Sequence, residues 1–157
     1  MDLLSHGVIT YLVVGKRPAD VVAGLIPDLA YYLTYPGYVL TSGKLGDGIE
    51  KNEWVEPPRW MHTLHFAFHS FPVLVAIGLF ARIVTGRVPK KLLLAWALHI
   101  LVDIPTHSRK NWAPQFMWPF SSYSVDGFSY AEWQVNMAKK LGILNRRPRI
   151  PPYRKYD

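Results

Sequence analysis

The chain has 157 residues, half of them apolar, and carries a net charge of +7 with no cysteine. That length suits one domain and is short for two. Without cysteine, disulfides and thiolate metal sites are excluded, so a transition-metal site has to use imidazole and carboxylate, which suit zinc, manganese or iron.

Taken in chain order, the apolar stretch begins at once and already contains His6. The first residues lack the basic segment of a signal peptide. Residues 3–15 read as a short helix, ended by Lys16-Arg17-Pro18. Pro18 suits the start of a second helix, and Asp20 suits its first turn. That helix is expected over 19–34, kinked or broken near Ile26 by Pro27 and closed by Tyr35-Pro36-Gly37. Residues 41–59 are rich in glycine, charge and proline, and read as a loop or lid.

Residues 60–85 form the longest apolar segment, and 89–105 a matching helix begun by Pro89. The short turn at Thr85-Gly86-Arg87 makes these two antiparallel neighbours. Residues 66–84 approach the length of about 20 residues needed to cross a membrane. Residues 108–128 are aromatic-rich with little periodicity. Tyr130–Leu141 can form one amphipathic helix. Residues 142–157 read as a basic, extended or disordered tail. The expected fold is all-α: two short antiparallel helical hairpins packed as a small bundle over 1–141, with an irregular aromatic-rich C-terminal segment.

The cations are clustered, at Lys16 and Arg17, at Arg82, Arg87, Lys90 and Lys91, and in the tail. Clusters at the ends of apolar helices read as membrane-surface anchors rather than as groove readers of nucleic acid. The expected partner is therefore membrane lipid, with nucleic acid disfavoured.

The six histidines lie in or at the edge of the expected helices. Imidazole is uncommon in apolar helices because burial without a partner is costly. His62, His65 and His69 are spaced to share one helical face, as are His99 and Asp103. Folding the second hairpin at its turn brings these faces together. Folding the first about Lys16-Arg17 brings His6 level with Asp28. His6, Asp28, His65, His69, His99 and Asp103 are thus the candidate metal ligands. His62 and His107 are open alternatives. Asp103 can bridge two ions, and a divalent cation lowers the pKa of a bound water enough for attack on an ester or phosphodiester.

In order, the chain holds His6, then Gly24-Leu25-Ile26-Pro27-Asp28, His65 with His69-Ser70, His99-Ile100-Leu101-Val102-Asp103, and Trp118-Pro119-Phe120-Ser121. This series resembles the membrane-bound metal-dependent hydrolases of bacteria and archaea, an inner-membrane group related to zinc-dependent phospholipase C. The resemblance covers residues 1–121. It implies a helical protein of the cytoplasmic membrane, binding one or two divalent ions, with zinc the first choice. It also implies hydrolysis of a small phosphoester or lipid-like substrate. By that resemblance His99 and Asp103 would be ligands, Asp103 the bridge, His6 and Asp28 ligands to either side, and His69 first or His65 next the ligand from the 62–69 cluster; Asp103 and His65 are the catalytic candidates. Phe66 follows His65 where the family often has arginine, and no histidine follows His107, so the third metal position of the phospholipases is missing. Two other readings compete: a non-catalytic membrane protein whose His/Asp cluster is a structural metal or polar network, and a nucleic-acid or partner-binding module that uses the basic tail.

Overall fold

The computed structural model describes residues 2–43, 55–110 and 112–143. The loop or lid expected at 41–59 falls mostly outside these, as does the basic tail from 144 onward. The described residues form six helices and no strand: α1 (Leu3–Val13), α2 (Pro18–Thr41), α3 (Arg59–Phe68), α4 (Phe71–Thr85), α5 (Lys90–Thr106) and α6 (Tyr130–Lys140). The all-α expectation holds. The helices pack as a bundle around α2, which lies against α5, α1 and α3, while α4 packs on α5.

Local chemistry sets the helix ends. Asp2 caps α1 by accepting the Ser5 N–H at 2.8 Å. Pro18 starts α2, where its missing N–H is harmless. Gly86 closes α4 in the left-handed region, with φ of 70°, where glycine carries no Cβ penalty.

Two expectations need correction. α2 does not stop near Ile26 or at Tyr35-Pro36-Gly37; it runs through Pro27 and Pro36 to Thr41. An interior proline costs about 3 kcal/mol of helix stability, and here packing on three neighbouring helices offsets it. The 60–85 segment, in turn, is not one rod. It breaks between α3 and α4 with a bend of 68°. Ser70 caps α4 by accepting the Val73 N–H, and Pro72 occupies its first turn. The Ser-Phe-Pro sequence is a helix-start signal inside an apolar run. No single described helix is long and apolar enough to cross a membrane; α3 and α4 meet that measure only as this bent pair.

The apolar core is small. Leu74, Trp96 and Ile100 form it, with Ile26, Phe68, Phe71, Leu93 and Phe116 packed around them. Trp96 donates its indole N–H to the Phe68 carbonyl at 2.7 Å, satisfying a group at the end of α3. Polar side chains fill much of the remaining interior, including His6, Thr10, Asp20, His65, His69, Ser70, His99 and Asp103. Leu4, Leu12, Leu33, Leu79, Phe80 and Ile83 face outward instead.

The C-terminal segment is tied back to the bundle. Gly127 and Phe128 donate to the carbonyls of His107 and Pro105 at 3.0 and 2.8 Å. A Cβ on Gly127 would meet the Pro105 carbonyl oxygen at 2.5 Å, so this close approach requires glycine. Gln134 of α6 reaches Asp2 at 2.9 Å.

Candidate metal centre

Four side chains from two helices and the end of a third converge. Asp28 comes from α2, His69 from the residue that closes α3, and His99 and Asp103 from successive turns of α5. One ligand atom of each lies within 4.8 Å of the others. His69 Nε2 stands 3.2 Å from His99 Nε2, 3.3 Å from Asp103 Oδ2 and 3.5 Å from Asp28 Oδ1. His99 Nε2 stands 3.1 Å from Asp103 Oδ2 and 3.8 Å from Asp28 Oδ1. With zinc–ligand bonds of 2.0–2.1 Å, the edge of a coordination tetrahedron is about 3.3–3.4 Å. The separations bracket that edge, so the donor set fits a divalent cation in chemistry and in size.

The imidazoles are oriented from behind. His69 Nδ1 lies 2.8 Å from the His65 carbonyl, and His99 Nδ1 lies 2.7 Å from the Gly24 carbonyl. A carbonyl only accepts, so each Nδ1 donates, and each neutral ring presents a bare Nε2 to the cluster. This is the outer arrangement that orients metal-binding histidine. The fold makes both carbonyls available. The α3 break turns His69 back on its own helix. Pro27 lacks the N–H that would bond the Ala23 carbonyl, one residue before Gly24. Gly24 also permits the approach of α1: a Cβ there would stand 2.1 Å from Thr10 Oγ1.

His6 and His107 lie on the other side of Asp103. His6 Nε2 is 2.9 Å from Asp103 Oδ1 but out of line for a hydrogen bond. His107 Nδ1 is 3.4 Å from the same oxygen. The His6 ring stacks on that of His99 at 3.7 Å. His6 therefore meets Asp103 and His99. His65 sits outside the four-ligand group, its ring 4.0 Å from that of His69 and its Nε2 buried without a hydrogen-bond partner. His62 is turned to Trp112, with rings stacked at 4.6 Å.

Electrostatics match this geometry. Burial pushes the Asp103 carboxyl up, but His6, His69 and His99 outweigh it and hold the group well below the usual range. Asp28 is likewise brought down to about 2 by His69 and His99 against its burial. Burial disfavours the charged form of His69 too, yet Asp103 and Asp28 raise it to about 9. Burial lowers His99 and His65, and takes His107 to about 4. Without an ion, the cluster thus holds a proton on His69 between two carboxylates.

Two structural roles go beyond the sequence reading. Trp112 adopts a left-handed backbone, with φ of 62°, which is uncommon for a bulky residue. It closes the His62 and His65 side of the cluster, and no sequence signal marks it. The Phe116–Ser121 stretch backs the α3–α4 break: the Phe116 carbonyl accepts the Phe71 N–H at 2.9 Å, and the Trp118 carbonyl accepts the Ser70 hydroxyl. The Ser70 cap signal and the Trp118-Pro119 pair were the available clues.

Comparisons with protein-family models, with curated proteins and with solved structures find no match. The likeness to membrane-bound metal-dependent hydrolases accordingly rests on the five motifs, and the chemistry of the cluster on its geometry.

Proposed function

We propose that the protein is a membrane-associated, metal-dependent hydrolase acting on a phosphoester or lipid-like substrate. The observation that carries this reading is the convergence of two carbonyl-oriented imidazoles and two carboxylates at separations suited to a shared divalent cation. Asp28, His69, His99 and Asp103 would hold the ion, with zinc, manganese or iron compatible with the donors. Such an ion supplies a water of lowered pKa and a Lewis acid for the phosphoryl or acyl oxygen.

The chain's own residues supply the rest. Asp103 presents Oδ2 to His69 and His99, and Oδ1 to His6 and His107, which suits a bridge between two ions. Asp28 is the partly exposed member, at 14 % of its side chain, so substrate access is assigned to its side. His65, buried against His69 with an unpartnered Nε2, is the candidate for a neutral imidazole beside the centre. Membrane association rests on the outward-facing aliphatic side chains and the clustered cations, and the cytoplasmic membrane is the matching location.

One observation favours a second reading. His69 and His99 already hydrogen-bond through Nε2 atoms at 3.2 Å, so the cluster can satisfy itself as a proton-holding polar network in a non-catalytic membrane protein. The deciding experiment is a panel of phosphodiester and phospholipid substrates offered to full-length protein loaded with zinc, manganese or ferrous iron. The proposal expects hydrolysis that chelator removes and that His99→Ala with Asp103→Asn abolishes. No hydrolysis with any of these metals, or hydrolysis that survives the double substitution, overturns it.

A further inference from the structure

The opposite end of the bundle carries a second constellation. A cleft of about 520 Å³ is lined by Arg17 and Ala19 from the start of α2 and by Val88, Pro89, Lys90, Lys91 and Leu92 from the start of α5. It joins the two basic turns, which lie far apart in sequence. Across residues 14–22 and 82–92 there are six cations and one acid, Asp20. Asp20 is fully buried and engaged by the Arg17 guanidinium, at 2.7 and 2.9 Å. Lys90 and Lys91 are exposed on the rim.

These lysines are placed against the ordinary rule. They occupy the first turn of α5, where the helix dipole is positive, and the first turn has neither an acidic residue nor a side-chain cap. Two cations at an uncapped positive helix end repel that dipole, whereas an anion placed there is stabilised. Arg17 reaches the same cleft from α2. The surroundings are aliphatic. Leu12 and Val13 end α1, Ile83 and Val84 end α4, and Val88 and Leu92 line the cleft itself; all six are exposed.

A cationic cleft with apolar walls, ringed by outward-facing aliphatic side chains, matches the two halves of an anionic phospholipid. We infer that this cleft seats the phosphate-bearing headgroup of an anionic phospholipid, with acyl chains against the exposed flanks of α4 and α5. Nucleic acid would find the same charge but no use for the aliphatic ring. The inference rests on the reading of the protein as membrane-associated, and adds to it a specific headgroup site about 20 Å along α5 from Asp103, taking 1.5 Å per residue.

The test uses full-length protein and two kinds of vesicle: phosphatidylcholine alone, and phosphatidylcholine with phosphatidylglycerol in equal parts. Partition should favour the anionic vesicles and weaken with salt. Lys90→Gln with Lys91→Gln should reduce partition into them about 30-fold, from about a fivefold loss per lysine. Its far-UV circular dichroism and metal uptake should be those of the wild type. Equal partition of the wild type into both vesicles, or unchanged partition of the variant, overturns the headgroup site while leaving membrane association standing. Failure to bind either vesicle overturns both. A short DNA duplex that binds as tightly as the anionic vesicles and depends on the same lysines overturns the lipid assignment in favour of nucleic acid.

Discussion

The two ends of the bundle separate the chemistry of the chain. Around the C-terminal half of α5, ionisable side chains gather on one carboxylate: His6, His69, His99 and His107 surround Asp103. Around its N-terminal turn, Lys90 and Lys91 point outward among exposed aliphatic residues. The usual protein buries aliphatic groups and exposes charge. Under the proposed function, the buried charge is the metal centre and the exposed apolar surface is the membrane contact. The difference teaches that helix hydrophobicity alone does not say which face is the interior of this protein.

The sharpest way to break that contrast is to remove the carboxylate at the centre of the buried end. Asp103→Asn takes away the shared partner of several imidazoles. Removing one member of a buried ionic set costs about 3–5 kcal/mol. Urea unfolding of the metal-free protein should show a loss of that order, and a loss under about 1 kcal/mol would mean the network contributes little.

Next in size is the approach of α1 to α2. Gly24→Ala places a Cβ 2.1 Å from Thr10 Oγ1, and overpacking of this kind costs about 1–3 kcal/mol. The matched change Gly37→Ala, where the added Cβ meets open space, should be neutral or stabilising by up to about 1 kcal/mol. Similar behaviour of the two variants would show that the Thr10 contact is dispensable.

A smaller effect concerns acidity. The free pKa of histidine is 6.5, and His69 is raised to about 9; its contribution is full below pH 6.5 and is lost as pH rises through 9. His107 is lowered to about 4; its contribution is present above pH 6.5 and is lost as pH falls through 4. Asp28, lowered to about 2, adds a loss as pH falls from 3.8 through 2. Stability of the metal-free protein should therefore peak near pH 6.5. A urea midpoint that climbs steadily to pH 9 would contradict the proton held on His69.

The smallest expected change in stability lies on the outer surface. Ile83, 81 % exposed, should tolerate Ile83→Ser within about 0.5 kcal/mol in urea, while partition into phospholipid vesicles weakens. A large loss of stability would instead place Ile83 in a packed interior.

Much of this arrangement is legible in the residues. Lys16-Arg17-Pro18 and Gly86 mark turns through charge, proline and the left-handed glycine, and those signals are local. The His99/Asp103 spacing predicts a shared helical face, and the two do meet. What is not local is harder to read. Pro27 and Pro36 suggest helix ends, but packing on three neighbours overrides an intrinsic penalty of a few kcal/mol. The α3–α4 break depends on Ser70 and Pro72, whose signal is diluted by the apolar run around them. The contacts of His6 with Asp103 and His99 join helices far apart in sequence, and the α1–α2 hairpin alone does not predict them. Trp112 is set by tertiary contact and leaves no pattern in the sequence.

Whether the buried cluster binds metal is read directly from the metal content of full-length protein by mass spectrometry. The protein would be exposed to zinc, manganese or ferrous iron and then freed of unbound ion. One or two ions per chain are expected for the wild type, and none for His99→Ala with Asp103→Asn at unchanged helical content. Wild-type protein that retains no stoichiometric ion, or a double variant that retains it in full, would mean that the cluster is not a metal site.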